Sequence, residues 1–148
     1  MPQLTALFSI DWQEISSGFV HLFVAFLLNA IIGWNREREE HNIGIRAFPI
    51  VGMASCTYMM IGAGAPQVLQ GLITGIGFVG GGAILRDGVT IKGTATAASV
   101  WSAGAIGAAV AMNRLGLAMM LTALNLLALR TLLPLKTHLD AVKQDKRP

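Results

Sequence analysis

The sequence predicts an all-α integral membrane protein, a bundle of about five transmembrane helices with its N-terminus outside and its C-terminus inside. Three observations lead there. Only 13% of the 148 residues are charged, against about 25% in an ordinary soluble domain. Five apolar stretches follow one another with short polar breaks, each close to the ~20 residues that cross the hydrocarbon core as a helix. The apolar runs are continuous rather than alternating, which excludes barrel strands.

The spans run from Ser16 to Trp34, Ala47 to Ala65, Gln67 to Leu85, Thr94 to Met112 and Leu115 to Pro134. This divides the chain into a transmembrane domain, 1–135, and a short basic cytoplasmic tail, 136–148. The first residues lack the basic segment of a secretory signal, so no cleaved leader is expected. Trp12 and Trp34 flank the first span at a separation suited to opposite interfaces. Orientation follows from the cations. All of the 11 Lys and Arg except Arg114 fall in the first connection, the third connection, the end of the last span or the tail. By the positive-inside rule those regions are cytoplasmic. The formal net charge of +3, gathered at one membrane face, suits anionic lipid and not nucleic acid.

The spans differ in character. The first and fifth are rich in Leu, Phe, Ile and Met; the third and fourth in Gly, Ala, Ser and Thr. Small residues let helices in lipid approach closely. Gly71 with Gly75, Gly77 with Gly81, and Gly104 with Ala108 are pairs of that kind, so the third and fourth helices are expected to pack centrally. Gly77→Leu or Gly81→Leu should then disrupt assembly, and Ala118→Leu should not. Gly80, Gly81 and Gly82 in succession suggest helix packing or a local break. The run Gly75 to Gly80 matches the dinucleotide fingerprint GxGxxG, but it lies inside an apolar span with no acid at the required offset.

No metal, cofactor or catalytic site is expected. His21, His41 and His138 have no metal partners at helical spacing. Cys56 reads as a small buried side chain, and Asn125 as a polar link between helices. The densest charge cluster is Asn35 to Arg46. Asn29, Gly33, Arg36 and Glu37 stand at i, i+4, i+7 and i+8, one helical face, and polar groups at membrane depth point inward and pair. Arg46 opens the second span. Asp87 with Gly88 reads as a turn, and Asp87 follows the third span at the same depth. Arg36, Glu37, Arg46 and Asp87 are therefore expected to pair at the inner end of the bundle. Thr94, Thr96 and Ser99 follow, with hydroxyls able to bond carbonyls or a neighbouring helix.

The segments LNAIIGWNRE, GIR, GIGFVGGGAIL and IKGTATAASVW, in this order and spacing, resemble the membrane domain of the MgtC/SapB family from about Leu28 to Gly107. Gly33, Arg36 and Glu37 match its Gly-x-x-Arg-Glu; Gly44, Ile45 and Arg46 match its Gly-Leu-Arg; Thr74 to Gly82 match its glycine-rich stretch; Gly93 to Ala98 and Trp101 match its Thr-rich entry to the fourth span. The chain departs from the pattern at Ala47, where the family has a hydroxyl, at Thr94-Ala95-Thr96, and before the third span, where APQVLQ replaces an Asp and an Arg. The resemblance implies a bacterial inner-membrane protein linked to growth at low magnesium and, in pathogens, to survival in host cells. The implied role is non-enzymatic: modulation of other membrane proteins. The family's soluble C-terminal domain is not expected here. The expected partners are the lipid bilayer, other membrane proteins and further copies of the chain, a dimer favoured. The alternative function is a transporter or channel for Mg²⁺ or another cation. No carboxylate lies within a span to ligate such an ion, although carbonyls at a Gly80–Gly82 break are a substitute.

Overall fold

A computed structural model describes residues 11–39, 44–62, 65–87 and 90–145. Among them, five helices follow in chain order: α1 (Trp12–Glu39), α2 (Ala47–Ile61), α3 (Pro66–Gly81), α4 (Thr94–Ala111) and α5 (Leu115–Asp145). A two-stranded ribbon, β1 (Leu85–Asp87) and β2 (Thr90–Lys92), separates α3 from α4. The all-α membrane architecture expected from the sequence is the one observed. α1, α4 and residues 115–132 of α5 are long and apolar enough to cross a membrane. α2 and α3 are shorter, with 15 and 16 residues, or about 22 and 24 Å of helix.

The ends of the elements have local causes. Asp11 starts α1 by accepting the amide of Gln13 at 2.8 Å on its Oδ1, the side-chain capping that the first turn of a helix requires. α1 continues past Trp34 to Glu39. α5 likewise runs through Pro134 to Asp145, with no backbone break at the expected boundary near residue 135. The glycine run coincides with the end of a helix. α3 ends at Gly81, and Gly82 caps it. The ribbon was not expected. It is antiparallel, with Leu85 opposite Lys92, Arg86 opposite Ile91 and Asp87 opposite Thr90. The turn expected at Asp87–Gly88 involves residues 88–89, which lie outside the described residues. Gly93 then enters α4 with φ of 82°, and an added Cβ there would strike the Ala83 carbonyl oxygen.

α4 is the centre of the bundle and packs against all four other helices. Its small residues make this possible. A Cβ on Gly107 would collide with the carbonyl oxygen of Gly52 in α2, and one on Gly104 with the Ile76 side chain in α3. Ile106, Ala103 and Val100 of α4 join Phe48, Cys56, Ile32, Ala25 and Ala118 in the core.

The third helix is not central, a correction to the expectation. Among the described residues, no other element comes within 4 Å of a Cβ added at Gly71, Gly75, Gly77 or Gly81. α3 instead leans on α4 through Ile76 and Gly80, its two buried residues, and a Cβ on Gly80 would lie 3.0 Å from the Ala97 carbonyl oxygen. The reason is angular. At ~100° per residue, Gly75 and Gly77 flank the inward direction of Ile76 on opposite sides. Ala118 is also placed otherwise than expected: it is fully buried.

Candidate functional site

The end of the bundle that carries Arg36, Arg46, Arg86 and Lys92 holds most of the polar structure. Its geometry begins with α1. Gly33 lets α1 approach the entry to α2, since a Cβ would lie 3.2 Å from the Ile45 Cα. One turn earlier, Asn29 is fully buried against Gly52, which has no room for a side chain. Its Nδ2 donates to the Ala25 carbonyl at 2.9 Å, while its Oδ1 has no hydrogen-bond partner among the described residues.

One turn later, Arg36 is 2% exposed. Its Nη2 donates to Thr96 Oγ1 at 3.1 Å, joining the end of α1 to the first turn of α4. Glu37, beside it, turns to α2. Its Oε2 accepts the Ile45 amide at 3.0 Å and fills the space next to Gly44. No side chain of the N-cap residue closes α2, so this carboxylate supplies the negative charge that a helix N-terminus favours.

Of the face Asn29, Gly33, Arg36 and Glu37, the first three are buried against neighbouring helices and Glu37 is exposed. Of the expected four-membered network, the described residues place three. Glu37 serves the backbone at the start of α2, and Arg46 is exposed, with no polar side-chain partner among the described residues. The Asp87 side chain lies outside the described residues. Thr96, expected to bond a carbonyl or a neighbouring helix, binds Arg36. Thr94 is exposed.

Deeper in the bundle, Ser99 Oγ donates to Asn125 Oδ1 at 3.1 Å, so Asn125 does link two helices. At the opposite end, His21 Nε2 lies 3.0 Å from Asn113 Oδ1, tying α1 to the α4–α5 turn. Ser55 and the Gly52–Gly107 crossing were not singled out from the sequence. The available signal was the same small-residue content, diluted by the more conspicuous glycines of α3.

Among the described residues, apolar-walled hollows open on the helix surfaces. One of 640 Å³ lies between α3, α4 and α5, beside Trp101. One of 440 Å³ lies between α2 and α3, lined by Ala54, Ser55, Gly71 and Gly75. One of 610 Å³ lies at the basic end between α4 and α5, lined by Arg36, Lys92, Thr94 and Asn125 together with leucines of α5. Among the described residues no three His, Cys, Asp or Glu side chains are grouped to hold a metal ion.

Comparison with known proteins gives the same placement as the fold. The sequence pattern of the MgtC family matches residues 22–138. Protein SrpB of Synechococcus elongatus is 31% identical over 139 residues, covering 80% of this chain and 75% of that protein. Protein MgtC of Brucella abortus is 30% identical over 102 residues, covering 65% of this chain and 43% of that protein. An uncharacterised protein of Synechocystis sp. is 27% identical over 137 residues, covering 88% and 57%. The chain therefore spans about half the length of several curated relatives. No solved structure matches it. With the family pattern covering most of the chain, and with helices long and apolar enough to span a bilayer, the chain belongs to the MgtC family and is a multi-pass membrane protein.

Proposed function

We propose that the protein is a non-enzymatic regulator in a bacterial inner membrane, acting in adaptation to low magnesium by docking against helices of other membrane proteins. The observation that carries this reading is the groove between α2 and α3. Its lining includes Ala54, Ser55, Gly71 and Gly75, and among the described residues no other element lies within 4 Å of the two glycines' missing Cβ positions. Between the bulkier Tyr58, Val68, Leu72 and Val79 of the same lining, these small residues leave room for a second helix backbone to come close, which in lipid is a main source of helix association. The link to magnesium comes from the family resemblance.

Cation conduction is the second reading, and one feature weighs against it. A dication entering the bundle at its basic end would meet the buried guanidinium of Arg36, a fixed charge of the same sign. The other buried polar side chains among the described residues, Asn29, Asn35, Ser55, Thr96, Ser99 and Thr122, are neutral, whereas hard cations favour carboxylate oxygens.

Two measurements separate the readings. Purified protein in sealed liposomes should move no Mg²⁺ down a gradient beyond empty liposomes; a saturable flux overturns the regulatory reading. In native membranes, a photo-crosslinking residue at Gly75 should capture a membrane protein, and Gly75→Leu should abolish the low-magnesium growth phenotype while leaving the fold intact. Capture of a second copy of the chain identifies the groove as the dimer contact instead.

A further inference from the structure

We propose that the hollow at the basic end, between α4 and α5, is a binding site for an anionic phospholipid. Its phosphate would sit by Lys92 and the first turn of α4, and an acyl chain would lie along the leucines of α5.

The hollow has two chemically distinct parts. At its polar end, Lys92 and Arg36 contribute two positive charges to the lining. They flank the start of α4, whose N-cap is Gly93 and which carries no side-chain cap, so the helix adds its own positive end to the field. Away from that end the wall becomes apolar, with Leu121, Leu124, Leu129 and Leu132 of α5 facing Ala98 of α4. Leu124 and Leu132 are more than half exposed, so this wall is open toward the bilayer side of the bundle.

Between the two parts lie Ser99 and Asn125, which are joined to each other by a hydrogen bond. Ser99 is five positions along α4 from Thr94, or about 7.5 Å of helix, so the polar end of the hollow is confined to the first turns of α4. The volume of 610 Å³ falls within the ordinary range for a small-molecule site, ~300–1,000 Å³.

Charge decides among lipids, and the apolar wall decides between a lipid and a free anion. The exposed ammonium of Lys92 and the helix N-terminus, with buried Arg36 behind them, favour a headgroup of net negative charge over a zwitterion. Inorganic phosphate satisfies the polar end but leaves the leucine wall unused.

The test uses the full chain purified in a mild detergent, with thermal unfolding followed as phosphatidylglycerol, phosphatidylcholine or inorganic phosphate is added. Phosphatidylglycerol should stabilise the protein, and the other two should not. Lys92→Gln should weaken the apparent affinity about five-fold, the effect of one basic residue near an anionic surface. Ala98→Phe should abolish the stabilisation by filling the place of the acyl chain, with the unliganded protein still folded. Arg130→Gln, an exposed position outside the hollow's lining, is the control for diffuse surface charge. Equal stabilisation by phosphatidylcholine, or by inorganic phosphate alone, overturns the proposal. So does an equal loss in Arg130→Gln and Lys92→Gln, or an unchanged response in Ala98→Phe.

Discussion

Arg36 and Thr96, 60 residues apart in sequence, meet through a 3.1 Å hydrogen bond from Nη2 to Oγ1, at a point where each is 2% exposed. This contact ties the last turns of α1 to the first turn of the central helix. It gives the buried guanidinium an acceptor and fixes where α4 begins relative to α1.

The contact makes Arg36 and Thr96 a coupled pair. A hydrogen bond to a charged group is worth about 1.5–3 kcal/mol, so Thr96→Val should lower stability by an amount in that range. Arg36→Ala should cost at least as much, and the double substitution should cost less than the sum. Arg46→Ala, at an exposed position, should change stability by no more than about 0.5 kcal/mol. Unfolding in detergent measures all four. Strict additivity of the Arg36 and Thr96 effects would show that the hydrogen bond contributes nothing.

The glycines divide by what faces them. Gly107→Ala should be strongly destabilising, because its Cβ would meet the backbone oxygen of Gly52 and neither backbone can yield without separating α2 from α4. Ala118→Leu should overpack a fully buried site, at a typical cost of ~1–3 kcal/mol. Gly77→Leu should leave the unfolding of the isolated chain unchanged, since open space surrounds that position. The order reverses what the small-residue pattern alone suggests. Loss of folding in Gly77→Leu with tolerance of Gly107→Ala would refute the observed placement of α3.

The helices were legible in the sequence because a continuous apolar run of membrane length permits little else. Their ends were less so. The charged residues after Trp34 are good helix formers, so α1 runs on to Glu39, and Asp11 caps it earlier than the apolar run begins. The ribbon was hidden because three-residue strands such as Leu85–Asp87 are too short to show a period of two. Arg36 was legible as a functional candidate from its helical face, and Thr96 from its hydroxyl, but not their contact. Nor could spacing show which way the glycine faces of α3 point, because a one-residue rotation separates Ile76, which packs inward, from Gly75 and Gly77, which do not.

Glu37 should act on α2 alone. Its Oε2 accepts the Ile45 amide at a helix start that lacks another side-chain cap. Glu37→Ala should cost about 0.5–2 kcal/mol, as loss of a capping side chain does, whereas Glu37→Gln keeps an acceptor and should cost less. Hydrogen exchange should quicken at the first-turn amides of α2 in Glu37→Ala and remain unchanged in the middle of α4. Faster exchange throughout the bundle would mean that Glu37 holds more than this one helix end.

Orientation in the membrane can be tested against the bundle geometry. Arg36, Arg46, Arg86 and Lys92 sit on the α1–α2 and α3–α4 connections or beside them, while Arg114 lies on the α4–α5 turn, near which His21 holds Asn113. With five antiparallel spans and cations retained in the cytoplasm, reporters fused after Arg38, after Asp87 and at the C-terminus should read cytoplasmic. A reporter after Pro66 should read external. The Pro66 fusion is the decisive one, because α2 and α3 have only 15 and 16 residues, short of the ~20 that span the hydrocarbon comfortably. If the two formed a re-entrant pair that turned back within the bilayer, Arg46 and Arg86 at their cytoplasmic ends would still lie on one side, but Pro66 would not reach the other. A cytoplasmic or protected reading there would reduce the protein to three full crossings, α1, α4 and α5, and would leave the ribbon and the basic end where they are. An external reading establishes all five.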